Sequence, residues 1–151
     1  MRYIRTKDGR IVDVQKFIDE TKDTPYYYDF KFDEIKNEGD SCVLNWTAIG
    51  TRENSIKEQV GKRCQFGVTI DSPFIAQADT IEKLCDEFVV LEYGIESGVL
   101  YSRTQHTTLE EAIGSQTAKH KCSYEIYGAI WTDKGLIYKA KINEKGDLEL
   151  L

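Results

Sequence analysis

Apolar and polar positions alternate with period two along much of this chain, which is the pattern of half-buried strands. In YYYDFKF, residues Tyr26, Tyr28, Phe30 and Phe32 fall on one face, and Tyr27, Asp29, Lys31 and Asp33 on the other. SCVLNWTAIG alternates in the same way, and NEGDS between them reads as a turn that pairs the two. CQFGVTI gives a further strand, closed by Asp71-Ser72-Pro73. At the start, RYIRTKDGRIVDV reads as a β-hairpin about Asp8-Gly9. The last stretch, CSYEIYGAIWTDKGLIYKAKINEKGDLELL, holds two glycine-bearing turn signals and so three short antiparallel strands.

Helical spacing is rarer. Val14, Phe17 and Ile18 recur at three- and four-residue intervals behind Asp13, a capping residue, and Thr24-Pro25 should end that helix. In ADTIEKLCDEFVVLEYG, residues Ile81, Leu84, Cys85 and Phe88 make one apolar stripe. Asp79 and Glu82 sit at the spacing of a helix-start box, which predicts a helix over 79–87. The chain then reads as a strand to Tyr93, a turn over Ile95–Gly98 and a returning strand from Val99. Thr108 and Glu111 form a capping box that opens a second helix over 108–118, carrying Leu109, Ala112 and Ile113. TRENSIKEQVGKR reads as a charged loop with one helical turn over Ser55–Val60.

These elements predict an α+β fold: a mainly antiparallel, twisted sheet or partial barrel, with two to three short helices packed on it through Ile81, Leu84, Phe88, Leu109 and Ile113. At 151 residues and with two prolines, the chain is expected to form a single domain over 1–151. One internal echo stands out. Ile4-x-Thr6-x-x-Gly9-x-Ile11 matches Ile130-x-Thr132-x-x-Gly135-x-Ile137, letters that any twisted hairpin favours.

Charge changes the picture next. The first 75 residues carry 12 Lys+Arg against 13 Asp+Glu, and the remainder 8 against 13, so the net charge of −6 lies mostly in the second half. That half would repel a phosphate backbone, so dedicated nucleic-acid binding is not expected and a basic partner surface is favoured. No apolar run approaches a bilayer span, so no membrane association is expected. The N-terminus has no apolar signal region, which points to the cytoplasm. Cys42, Cys64, Cys85 and Cys122 are irregularly spaced and read as reduced thiols.

Candidate chemistry is sparse. His120-x-Cys122 is the one close Cys/His pair, and it lacks a nucleophile turn. A zinc set of His120, Cys122, Cys42 and Cys64 has only one close ligand pair, where structural sites use two. Adjacent acids such as Glu110-Glu111, Asp86-Glu87 and Asp33-Glu34 read as solvated charge, and no phosphate or calcium loop is present. The expectation is therefore a non-enzymatic protein without metal or cofactor, although a Cys/His or carboxylate pair is kept as the enzymatic alternative. Aromatic residues remain. Tyr26, Tyr27, Tyr28, Trp46, Tyr127 and Trp131, with the cations Lys119 and Lys121, are the candidate binding residues, since Tyr and Trp give large contact area at low entropic cost.

Three stretches, MRYIRTKDGRI, IAQADTIEKLCDEFVVL and YGAIWTDKGLIYKAKINEKGDLELL, resemble uncharacterised small proteins of bacteriophages and integrative elements of Gram-positive bacteria. In those, a charged N-terminal hairpin and an ADTIEELCDEFV-like helix recur. The matches cover about 53 of the 151 residues and leave Gln15 to Phe74 outside. The resemblance implies a genetic setting and no catalytic residue. Within that setting the expected role is binding of a bacterial host protein, such as a nucleic-acid-binding component of antiphage defence, in an anti-CRISPR-like manner. Anchors would come from Tyr26–Tyr28, and charge mimicry from the acidic half. The alternative is a module that sequesters a nucleotide or other small ligand, with Trp46, Tyr127 and Trp131 for the base and Lys57, Lys62, Arg63, Lys119 and Lys121 for phosphate.

Overall fold

The computed structural model describes residues 2–21, 28–51, 65–115 and 122–151. The fold is α+β, as the alternation predicted, and mainly antiparallel. Its strands are divided among three open sheets, of orders β2-β1-β6, β3-β4-β5 and β11-β10-β9-β7-β8. Two compact units result, one built from residues 2–8 and 12–77, the other from 9–11 and 78–151.

The first unit begins with the expected hairpin, β1 (Tyr3–Thr6) and β2 (Ile11–Asp13), followed by α1 (Val14–Thr21). Asp13 caps that helix, its Oδ1 accepting the Lys16 N–H at 3.2 Å. Behind it, β3 (Tyr28–Glu38), β4 (Ser41–Thr51) and β5 (Gln65–Ile70) form the second sheet, and β6 (Phe74–Ala78) returns to β1. β4 is the central strand of its sheet and follows its alternation strictly: Cys42, Leu44 and Trp46 are buried together with Ile4, Val14, Ile18 and Ile70. On β3 the alternation is broken by register shifts at Asp29/Phe30 and Phe32/Glu34. The second shift lets Phe32 and Ile35, three residues apart, both pack on this core. The β6 strand was not evident from its sequence. It is held from the side by Asn37, whose Oδ1 accepts the Phe74 N–H at 2.8 Å and whose Nδ2 donates to the Phe74 carbonyl at 2.9 Å. One amide side chain thus meets both polar groups of a strand residue, as a neighbouring backbone would.

The second unit is the five-stranded sheet, with β7 (Glu87–Gly94), β8 (Leu100–His106), β9 (Cys122–Thr132), β10 (Gly135–Ile142) and β11 (Leu148–Leu150), and with α2 (Leu109–Gly114) on one face. Every pairing in it is antiparallel. Phe88, Val90, Ala112 and Ile126 form one buried cluster, joined by Leu109, Tyr124, Ile142, Leu148 and Cys85, and Val89, Ala129, Ile130 and Ala140 are buried as well. Gly9, at φ +86°, belongs to the second unit, and a Cβ placed on it would lie 3.1 Å from Thr132 Cγ2, so glycine permits both the turn and the approach.

The helix expected over 79–87 is a correction. Only Glu82–Leu84 forms a turn, of 3-10 type, and Cys85 is already extended. The cause lies in the sheet. The Asp86 N–H donates to the Ala129 carbonyl at 2.8 Å, and the Asp86 carboxylate accepts the Trp131 N–H at 2.8 Å. From Glu87 onward the chain is paired residue by residue with β9. Ile81, Leu84 and Phe88 are buried as their spacing suggested, but in a turn and a strand, not on a helix stripe. Ile113, expected to pack on the sheet, is 47% exposed. The described part of α2 contacts the sheet along Leu109 and Ala112, and Ile113 lies one further 100° step round the helix from Ala112. Of the charged loop expected over 51–63, Thr51 ends β4 instead, and residues 52–63 with the helical turn over Ser55–Val60 lie outside the described residues, as does the Thr24-Pro25 helix stop.

Candidate functional site

Of the residues singled out for binding, Tyr26, Tyr27, Lys119 and Lys121 lie outside the described residues, as do Lys57, Lys62, Arg63, His120 and Cys64. Tyr28 opens β3. Trp46, 5% exposed, is enclosed in the core of the first unit opposite Phe32, so its ring is not presented to a ligand. Cys42 is buried in that same core, and His106 bonds through Nε2 to Thr104 Oγ1 at 2.9 Å. Among the described residues no group of three His, Cys, Asp or Glu side chains is placed to hold a metal ion.

Tyr127 and Trp131 belong to the second unit, on the same face of β9 by strand alternation. Trp131 is 53% exposed. Tyr127 stacks on Tyr138 of β10 with ring centroids 4.8 Å apart and planes 19° from parallel. Around the pair lies a polar network. The Tyr127 hydroxyl donates to Glu125, Lys141 Nζ stands 2.7 Å from Glu125 Oε2, and the same ammonium sits 5.7 Å from the Tyr127 ring centre. Bonds from Lys141 and then Tyr127 hold the Glu125 carboxyl below its ordinary range. The same contact with Glu125 raises Lys141 and Tyr127, while Tyr93 is raised first by desolvation and then by its bond to Glu125. Next to this network, Arg103 on β8 donates from Nε to the Tyr138 hydroxyl at 3.3 Å and from Nη1 to Gln105 Oε1 at 3.1 Å. Among the described residues it meets no carboxylate.

A second feature, made of apolar residues that carry no chemistry of their own, is the tip joining β7 to β8. Ile95, Val99, Leu100 and Tyr101 are 61%, 64%, 50% and 60% exposed within seven residues. Their backbone is ordered by its own bonds. The Gly94 N–H donates to the Val99 carbonyl at 3.1 Å, the Gly98 N–H to the Gly94 carbonyl at 2.9 Å, and the Val99 N–H to Ser97 Oγ at 3.3 Å. Turn tips are ordinarily polar, and consecutive exposed apolar residues are disfavoured unless they contact something. The signal was present in the sequence as IESGVLY, a turn bounded by large apolar residues with no alternation to bury them. The glycines locate the turn, and the alternation reading places Ile95 within it and Val99, Leu100 and Tyr101 in the returning strand.

Among the described residues, no helix is long and apolar enough to cross a membrane. No protein-family model, curated protein or solved structure is found to match the chain.

Proposed function

We propose that this chain acts by stoichiometric binding of another protein, with the β7–β8 tip as its contact. The observation that carries the reading is the group of four large apolar side chains, each half or more exposed, on a hairpin fixed by three local hydrogen bonds. Such residues contribute little to a free monomer and gain when covered, at about 25 cal/mol per Å² of apolar surface. A pre-ordered tip also loses little conformational entropy on docking. In the mobile-element setting that the resemblance implies, the partner is a bacterial host protein of antiphage defence. The acidic balance of residues 76–151 favours one with a basic nucleic-acid channel.

The test is a pull-down from a phage-sensitive host at low salt, with the wild-type chain and an I95S/V99D variant as baits, together with a defence assay in cells expressing each. A partner retained by the wild type and lost by the variant, with defence blocked only by the wild type, is the expected result. Equal retention by both baits, or intact defence with no partner held, overturns the reading.

The Tyr127–Tyr138 stack beside Lys141 and Arg103 supports a second reading, capture of a planar anionic ligand such as a nucleotide. Thermal melts against cyclic and linear nucleotides separate the two. A ligand at a hundredfold over its Kd stabilises the fold by about 2.7 kcal/mol, a shift of several degrees. A flat panel removes this reading for the nucleotides tried.

A further inference from the structure

We infer that β8 receives an extended, carboxylate-bearing segment of the partner by strand addition, with Arg103 as the residue that selects for the acid. The inference rests on the hairpin tip being the contact surface, and adds how the partner binds there and what chemistry it carries. The two edges of the five-stranded sheet differ. β11 is three residues long, a common way of protecting an edge, whereas β8 runs seven residues, Leu100–His106. β8 contains no proline, no glycine and a single charge, Arg103. Among the described residues its only ladder neighbour is β7. A register shift at Glu92/Tyr93 leaves Ser102–His106 as its regular run, directly continuous with the apolar tip.

An edge strand of this kind is the docking element of β-augmentation, in which main-chain hydrogen bonds give affinity and facing side chains give specificity. The occupant follows from Arg103. Its guanidinium is exposed, and its contacts, the Tyr138 hydroxyl and the Gln105 amide, are both neutral. A residue on an added strand opposite Arg103 would have its Cβ about 5 Å away on the same face, within reach of a bidentate carboxylate bond. A second copy of this chain fits poorly. Leu100–His106 contains no acid, so β8 paired with itself leaves Arg103 without a carboxylate, and two chains of net charge −6 repel.

The probes are synthetic capped peptides of about seven residues, alternating valine and threonine around one central glutamate. Matched peptides carry a central lysine, or backbone N-methyl groups at alternate positions. Backbone amide shifts of β8 in the full chain report binding. The glutamate peptide should bind at β8, the lysine peptide about fivefold more weakly, and the N-methylated one not at all. Arg103→Glu should invert the order of the first two. No saturable shift, equal affinity for the two charges, binding that survives N-methylation, or an order unchanged in Arg103→Glu would each overturn the inference. So would a dimer of the free chain that forms through β8. In the pull-down, a partner lost by the tip variant but kept by Arg103→Glu leaves protein binding standing and removes the acid-selective strand.

Discussion

Two residues show how closely the second unit is fitted. A Cβ on Gly128 would lie 2.7 Å from Cys85 Sγ, closer than such atoms approach. Gly128→Ala should therefore cost about 1–3 kcal/mol through overpacking. Adding Cys85→Ala should recover much of it, a coupling of about 0.5–3 kcal/mol measurable in a urea double-mutant cycle. The same cost with and without the thiol would show that the clash lies elsewhere. Glu125 makes the pH prediction. Its folded pKa lies below the ordinary 4.5, so its contribution is full above that value and is lost as pH falls through the folded one. Tyr127 and Lys141 are raised from 10.0 and 10.5, so theirs is full below those values and is lost as pH rises through the folded ones. Urea midpoints across pH should form a plateau between an acid limb that begins below pH 4.5 and an alkaline limb that begins above pH 10.0, and Glu125→Gln should flatten the acid limb. An acid limb unchanged in that variant would assign it to other carboxylates. Tyr127 was evident from the sequence as a candidate, but Glu125, Lys141 and Arg103 were not, because their proximity depends on the side-by-side order of β10, β9, β7 and β8.

Helix starts were the most legible elements. Asp13 and Thr108 each cap from three residues away, a bond that local sequence alone can specify. Thr108→Ala should cost about 1 kcal/mol in chemical denaturation. Thr107→Ala, losing only an exposed 3.4 Å contact to Glu111, should stay within about 0.5 kcal/mol. Comparable losses at the two positions would mean that the Thr108 bond is not what sets the helix start. Residues 79–87 show the opposite case. Their helical spacing is real, yet Asp86 and the residues after it are taken into the ladder with β9. Strand pairing then satisfies the backbone that a helix would have satisfied, and Phe88 and Val90 still reach the core.

At the scale of the molecule, the tip can be separated from stability. Ile95 and Val99 are 61% and 64% exposed, so I95S/V99D should melt within about 0.5 kcal/mol of the wild type while losing its partner. A large loss of stability would instead make the tip part of the fold. The sequence by itself determined the features that need only neighbours: alternation in β4, the glycine-bearing turns, both helix caps and the antiparallel hairpins. These rest on backbone geometry and hydrogen bonds spanning a few residues. The tertiary structure alone decided the order β11-β10-β9-β7-β8, the division of strands into three sheets, and the fates of two strand tryptophans, Trp46 enclosed and Trp131 exposed. It also left Ile95, Val99, Leu100 and Tyr101 half or more exposed. Closing a longer loop costs only about 0.6 kcal/mol more per doubling, so distance along the chain does little to choose which strands pair. Burial depends on what every other element covers, and no window of sequence contains that information.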